Sequence, residues 1–154
     1  MYGPYPDCNA FTEWLSKNMT LSALSDGRDM STSACANFAR NELSKALRKK
    51  AKQANLIIGG YDESEGASCY FLDYLGTLKK ANFCAHGMAT AFTIGLFDRE
   101  WKADLSVDEA IELAKHCMQE LSTRLAFTMQ FRGKIVSKDG VREVDLGVVG
   151  GSSE

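Results

Sequence analysis

The feature that most constrains the fold of this chain is the way its apolar periodicity changes along the sequence. Apolar residues first recur at helical spacing, then in short runs typical of strands, then at helical spacing again, and finally in alternation. The pattern predicts two helices, three strands, two helices and two strands, in that order. Because helices and strands form separate blocks, we expect an α+β fold with helices covering sheet layers, and not alternating β-α-β units.

Two helices are predicted before residue 50. The first lies near residues 9–19, with Asp7 or Asn9 as its N-cap. The second begins around residues 31–33, and its buried stripe consists of Ala36, Ala39, Leu43, Ala46 and Leu47. It ends in a basic cluster at residues 48–52. That cluster is either a nucleic-acid patch or, in the interpretation that we favour, a solvated helix end whose cations complement the helix dipole.

Three strands are predicted next. The first, at residues 55–61, is a nearly continuous apolar run of the kind that is buried on both faces. An acidic turn closed by Gly66 leads to a second strand at residues 68–74, in which Tyr70, Leu72 and Tyr74 share one face. A third strand is predicted across residues 81–86, after Lys79 and Lys80.

The second half begins with a short buried helix predicted at residues 89–101. A capping box, Ser106 and Glu109, starts the next helix. Its predicted apolar stripe is Val107, Ile111, Ala114, Met118, Leu121 and Leu125. Alternation of Phe127, Met129 and Phe131 predicts a half-buried strand, and Asp139-Gly140 predicts a hairpin turn. We expect a single domain at residues 1–146 and a flexible tail at residues 147–154.

Composition excludes several functional classes. Its 154 residues suit one domain, and 18 Lys+Arg against 20 Asp+Glu give a net charge of −2, which argues against nucleic-acid or anionic membrane partners. Apolar runs stay well short of the roughly 18 residues that a membrane span needs, and the first residues lack the pattern of a secretory signal. Five widely spaced cysteines, an odd number, indicate reduced thiols in a cytosolic or nuclear protein.

Three groups of residues invite a catalytic or metal-binding interpretation. Cys84 and His86 would share a face of a strand, which suits a nucleophile–base dyad or a ligand pair, and His116 with Cys117 would complete a set of four zinc ligands. However, the spacing matches no zinc pattern, and we favour structural roles. The acidic residues Asp62, Glu63, Glu65 and Asp73 fit a solvated turn better than paired catalytic carboxylates.

The third group is the pair Gly59-Gly60, which lacks the remaining residues of a phosphate-binding loop. Glycines inside a strand more often mark a close approach of backbone or a bulge. The residues by themselves therefore predict no catalytic centre, no cofactor and no metal site.

Two long segments nevertheless resemble a known family. The first contains Gly60-Tyr61-Asp62-Glu63-x-x-Gly66, Tyr70-Phe71-Leu72-Asp73-Tyr74-Leu75-Gly76 and Phe83-Cys84-Ala85-His86-Gly87. The second is Leu96-Phe97-Asp98-Arg99-x-Trp101-x-x-Asp104-Leu105-Ser106-x-x-Glu109-Ala110. Their order and spacing are similar to those of eukaryotic 20S proteasome beta subunits, and most closely to the type at the fourth beta position. The resemblance covers roughly residues 3–145.

This resemblance implies the N-terminal-nucleophile hydrolase fold, a four-layer α-β-β-α sandwich, here lacking its opening strands. Active members attack the peptide with an N-terminal threonine, which would lie upstream of Met1 together with its supporting Asp and Lys. Thr12, Thr20 and Thr32 lie in or beside predicted helices and are not candidates. Where active members carry Ser-Gly-Ser, this chain has His86-Gly87-Met88. Among the matching positions only Asp98 corresponds to an active-site neighbour, and the alternative role for Asp98 is to fix the junction between the two helices.

The implied function is that of a non-catalytic, structural beta subunit of the 20S core, whose chamber degrades ubiquitin-tagged proteins in the cytoplasm and nucleus. Its implied partners are other beta and alpha subunits in hetero-oligomeric rings. Trp14, Phe97 and Trp101 are either interface anchors or core residues. The alternative is a catalytic threonine-protease beta subunit whose N-terminal threonine region is missing from this sequence.

Overall fold

The computed structural model of the chain describes residues 1–125 and 129–149, which group into two compact units, Met1–His86 and Gly87–Glu154. The first unit contains helices α1 (Tyr5–Asp26) and α2 (Thr32–Leu47) and strands β1 (Leu56–Asp62), β2 (Gly66–Leu72) and β3 (Leu78–Lys80). The second contains helices α3 (Met88–Glu100) and α4 (Val107–Leu125) and strands β4 (Met129–Ser137) and β5 (Gly140–Val149). The predicted α+β class is confirmed, whereas the prediction of a single domain at residues 1–146 stays a prediction.

Helix α1 is twice as long as the sequence pattern indicates. It begins at Tyr5 with Pro4 as N-cap, so neither Asp7 nor Asn9 caps it. The pattern is misleading here because Pro6, in the first turn, needs no N–H partner and so favours an early helix start. At the other end, Gly27 adopts a left-handed φ of 68° and its N–H donates to the Ala23 carbonyl.

Helix α2 forms where it is predicted. The hydroxyl of Ser31 accepts a hydrogen bond from the Ala34 N–H at 3.2 Å and caps the helix. Its inner face contributes to the core of the first unit together with α1 and the sheet. The buried members of that core are Phe11, Leu15, Cys35, Ala39, Leu43, Ala54, Leu56 and Leu72.

Strands β1, β2 and β3 form an antiparallel sheet in that order. The inner face, which carries Leu56, Tyr70 and Leu72, is buried and contacts α2. The prediction that the first strand is buried on both faces is wrong, because Ile57 on the opposite face is 44% exposed. Tyr74, predicted on the inner face of the second strand, lies beyond β2 and is 38% exposed.

The third strand is also misplaced by the sequence pattern. It is β3, formed by Leu78–Lys80, and not residues 81–86. Leu78 pairs with Leu72 and Lys80 with Tyr70, so the two lysines form part of an exposed edge strand. The search for apolar runs did not find this strand because two of its three residues are lysines. Proteins often place lysine on an edge strand, where its charge prevents pairing with another chain.

The second unit confirms the strongest local signals. The Ser106 N–H donates to Glu109 Oε2 at 2.8 Å, and the Glu109 N–H donates to Ser106 Oγ at 3.3 Å, which completes the predicted capping box before α4. The buried residues of α4 are Leu113, Cys117, Met118 and Leu121. The buried face of α4 therefore differs from the predicted apolar stripe. The two share Met118 and Leu121, but Val107, the first residue of the predicted stripe, is 46% exposed.

Helix α3 also forms close to its predicted bounds, although the prediction that it is buried is wrong: Met88 and Ile94 are 63% and 40% exposed. Among the described helices, none combines the length and the apolar character required to cross a bilayer.

The predicted hairpin joins β4 to β5, with Ser137 paired to Gly140 at the turn. Gly140 has a φ of 105°, a value that favours glycine. Pairing continues to Val149, so residues 147–149, which were predicted to belong to the flexible tail, are part of β5. Within this strand the Gly147 N–H donates a hydrogen bond to Asp145 Oδ1. Phe127 and residues 150–154 lie outside the described residues.

Candidate functional site

Two side chains of the segment 81–86, Cys84 and His86, contact the outer face of the three-stranded sheet, the face that carries Ile57, Gly59, Cys69 and Phe71. Cys84 Sγ lies 3.7 Å from Cys69 Sγ. The ring of His86 stacks on Phe71 with 4.2 Å between centroids, and its Nε2 lies 3.0 Å from the Leu56 carbonyl oxygen. Because this segment is not a strand, Cys84 and His86 contact different neighbours and do not form the dyad that their spacing suggested.

The two thiols influence each other's ionisation. The hydrogen bond from Cys84 lowers the pKa of Cys69 to about 7, against the opposing effect of burial. The pKa of Cys84 is raised by the same hydrogen bond, by burial and by the negative charge of Cys69. The pair therefore holds a proton on Cys84 and favours a thiolate on Cys69.

His116 and Cys117 belong to the other unit, on helix α4. His116 Nδ1 lies 3.2 Å from Glu100 Oε2, and hydrogen bonds from Arg99 and His116 lower the pKa of Glu100. Cys117 is buried, which raises its pKa. Within residues 1–125 and 129–149, no three His, Cys, Asp or Glu side chains come together as metal ligands.

The acidic residues of the predicted turn have structural partners. Both carboxylate oxygens of Asp62 accept from the Thr32 N–H, at 3.1 and 3.2 Å, at the start of α2. Asp73 accepts from the N–H groups of Leu75 and Thr77, which fixes the loop before β3. The expectation of a merely solvated turn is therefore wrong for Asp62 and Asp73, because their carboxylates accept hydrogen bonds from backbone N–H groups.

Gly60 marks a close approach between β1 and α2. A Cβ at Gly60 would lie 2.1 Å from Thr32 Oγ1, whereas a Cβ at Gly59 would meet nothing within 4 Å. The expectation of close backbone packing is therefore correct for Gly60. For Gly59 the same expectation is wrong, because its side of the strand faces open space.

Three threonine hydroxyls donate hydrogen bonds within their own helices. Thr12 Oγ1 donates to the Cys8 carbonyl, Thr20 Oγ1 to that of Ser16, and Thr93 Oγ1 to that of Ala89. Such bonds run to the residue four positions earlier and bring no base to the hydroxyl. Asp98, the position that corresponds to an active-site neighbour, lies exposed on α3.

Lys52, one residue of the basic cluster after α2, contacts aromatic and acidic side chains of the first unit. Lys52 Nζ lies 5.4 Å from the ring centroid of Phe11 and 5.6 Å from that of Trp14, and 4.0 Å from Glu42 Oε1. Trp14 itself stacks on Phe11 and on Phe38. Trp14 thus fits the core alternative, and Lys52 is engaged within the fold.

Sequence reasoning missed the contact between Cys69 and Cys84. Their spacing of fifteen residues matches no motif, and Cys84 was placed on a strand that does not exist. One available signal is the alternation of β2, which puts Cys69 and Phe71 together on the face opposite Tyr70 and Leu72.

Comparison with known proteins gives a consistent result. Residues 1–131 match the proteasome subunit family. Proteasome subunit beta type-2 of Dictyostelium discoideum is 45% identical over 135 residues, which cover 86% of this chain and 68% of that protein. Proteasome subunit beta type-2-B of Arabidopsis thaliana is 44% identical over 134 residues, 86% of this chain and 67% of the relative.

Proteasome subunits named beta type-4 also match this chain. Proteasome subunit beta type-4 of Saccharomyces cerevisiae is 36% identical over 148 residues, which cover 93% of this chain and 74% of the yeast protein. The matched part of the chain spans about two thirds of the length of the first two relatives and about three quarters of the yeast one. The chain belongs to the proteasome subunit family, and the predicted resemblance to a eukaryotic beta subunit is confirmed.

Proposed function

We propose that this chain is a non-catalytic, structural beta subunit of a 20S proteasome core, at the fourth beta position. In this role it contributes part of the wall of the chamber that degrades ubiquitin-tagged proteins. Its partners are other beta subunits and alpha subunits in hetero-oligomeric rings. The names of its relatives, all of them proteasome beta subunits, support the assembly part of this proposal.

The observation that carries the non-catalytic part is how the candidate nucleophiles are engaged. A hydroxyl or thiol nucleophile needs a base within hydrogen-bond distance. Thr12 and Thr20 donate instead to carbonyls of their own helix, and Cys84 contacts Cys69 while His86 contacts Leu56 and Phe71. These residues therefore maintain the fold.

The C-terminal half of α1 supports the assembly role. Leu21 and Leu24 lie nearly one turn apart, and they are 64% and 79% exposed. Exposure of two neighbouring leucine side chains to water is unfavourable, and their burial against a partner subunit favours assembly. We take this pair as part of a subunit interface.

The experiment is native purification of the tagged full chain from eukaryotic cells, followed by mass spectrometry of the complex. We expect alpha and beta proteasome subunits in equal stoichiometry with the chain. In the same particle, a threonine-directed activity probe should label other subunits and leave this one unlabelled. Labelling of this chain would favour the catalytic alternative, and a chain recovered without proteasome subunits would contradict the assembly role.

Replacing Leu21 and Leu24 together by glutamate is expected to reduce incorporation into the particle at least tenfold, because two charges would be buried against a partner. The matched control is Lys17→Glu on the same helix, which changes the net charge by the same −2 at a side chain that is 79% exposed. Co-purified subunits are quantified for both variants. Equal incorporation of the leucine variant and the control would show that this pair is not an interface.

For location we propose the cytoplasm and nucleus, where reduced cysteines persist. A fluorescent fusion of the full chain tests this, and exclusion from both compartments would contradict it.

A further inference from the structure

We propose that Cys69 and Cys84 form an oxidation site, in which hydrogen peroxide converts the two thiols into a reversible disulfide between β2 and the segment 81–86. This inference is independent of the proposed function, since it depends only on the geometry of the first unit.

The geometry brings the two sulfur atoms close without a bond. They lie 3.7 Å apart, so forming an S–S bond of about 2.05 Å requires an approach of about 1.7 Å. Cys69 is held in the middle strand of the sheet, whereas Cys84 lies in an irregular segment that is tied to β2 by the bond from the Ala81 N–H to the Cys69 carbonyl. Because Cys84 belongs to neither a strand nor a helix, its side chain and local backbone can supply most of the movement while Ala81 and His86 keep their contacts with the sheet.

The sheet leaves Cys69 accessible from one side. Its cross-strand partner is Gly59, which lies on the same outer face and has no side chain to cover the thiol. Gly59 is exposed, and a Cβ at that position would meet nothing within 4 Å. A small oxidant can reach Cys69 through this gap.

The chemistry is complete with peroxide as the oxidant. The Cys69 thiolate attacks one peroxide oxygen, an S–O bond forms, the O–O bond breaks, and the departing hydroxide takes up a proton to give water. Cys84 then loses its proton and attacks the sulfur of the resulting sulfenic acid. The S–S bond forms, the S–O bond breaks, and hydroxide leaves as a second water. Two thiols lose two electrons in total, and one peroxide gains them.

The ionisation of the pair favours this order of events. Cys69 is the thiol whose pKa is lowered, so it reacts first. The negative charge of Cys69 contributes to the raised pKa of Cys84. Conversion of the thiolate to a neutral sulfenic acid removes that charge and makes Cys84 a better attacking group.

The other cysteines lack this arrangement. Cys35 is buried and its Sγ lies 3.3 Å from the Met19 sulfur. Cys117 is buried, and desolvation raises the pKa values of Cys8 and Cys117. Oxidation of the folded chain should therefore be selective for the Cys69–Cys84 pair.

The test uses the full chain, purified natively with any subunits that assemble with it, and exposed to a small excess of hydrogen peroxide near pH 7.5. We expect the five free thiols of the chain to fall to three, with a peptide pair linked through Cys69 and Cys84 in the mass spectrum. Dithiothreitol should restore all five. Loss of thiols at Cys8 or Cys117 without this linked pair would overturn the proposal, as would no loss of thiols.

Four variants, one of them a control, sharpen the result. Cys84→Ser should accumulate a sulfenic acid at Cys69 that dimedone traps, and Cys69→Ser should keep its remaining thiols. Cys8→Ser is the matched control and should form the link at the wild-type rate. Gly59→Val should slow the loss of the Cys69 thiol at least threefold, because it fills the gap above Cys69. A wild-type rate in Gly59→Val, or dimedone labelling at Cys84 first, would contradict the mechanism.

Discussion

Replacing Phe11 by alanine is expected to lower the free energy of unfolding by about 3–5 kcal/mol, a large share of the roughly 5–15 kcal/mol that a domain possesses. The Phe11 side chain has no exposed surface, and it belongs to the core formed by α1, α2 and the sheet. Its removal leaves a cavity that these packed elements cannot close, so lost contacts add to lost burial.

The aromatic ring contributes beyond its volume. Phe11 stacks on Trp14 with 5.9 Å between ring centroids, and the Lys52 ammonium lies 5.4 Å from its centroid. Phe11→Leu keeps most of the apolar volume but loses both ring contacts. We expect it to cost about 1–2 kcal/mol, clearly less than the alanine variant.

Urea unfolding followed by tryptophan fluorescence measures these changes, since Trp14 lies against Phe11. The matched control is Tyr5→Ala, which removes an aromatic ring from the same helix at a position that is 79% exposed. That control should stay within about 0.5 kcal/mol of wild type. If the Phe11 and Tyr5 variants unfold at the same urea concentration, the packing of α1 described here is wrong.

Replacing Gly60 by alanine is the second change with a large expected effect, about 2–3 kcal/mol of destabilisation from one added methyl group. The new Cβ would lie within 2.1 Å of Thr32 Oγ1 and 2.8 Å of Thr32 Cγ2. Thr32 is buried at the start of α2 and is held there by Asp62, so it cannot move aside without disturbing the helix.

The neighbouring glycine provides the control. Gly59→Ala adds the same methyl group to the same strand in open space, and alanine suits an extended strand at least as well as glycine. We expect its unfolding midpoint to equal or slightly exceed that of wild type. Thr32→Ala combined with Gly60→Ala should recover part of the lost stability, because it removes the two closest atoms. Purely additive losses in the double variant would contradict the steric explanation.

The sequence correctly predicted features that depend only on residues close together in the chain. The Ser106–Glu109 box at the start of α4 was predicted because a capping side chain bonds an N–H two or three residues away, and the start of α2 was predicted within a residue or two of Thr32. The hairpin was predicted from Asp139-Gly140, although the two turn residues are 138 and 139 and Gly140, with a φ of 105°, is the first residue of β5. The family, too, was recognised from the order and spacing of its residues, and the match over residues 1–131 confirms it.

The sequence by itself thus determined the α+β class, the cap of α4, the β4–β5 hairpin and the family of this protein. Only the tertiary structure decided that β3 is the lysine-containing Leu78–Lys80, that one face of β1 is open, and that Cys84 meets Cys69 while His86 turns to Phe71. The physical reason is that strand pairing and burial depend on what distant segments cover. No spacing along a chain encodes that information locally.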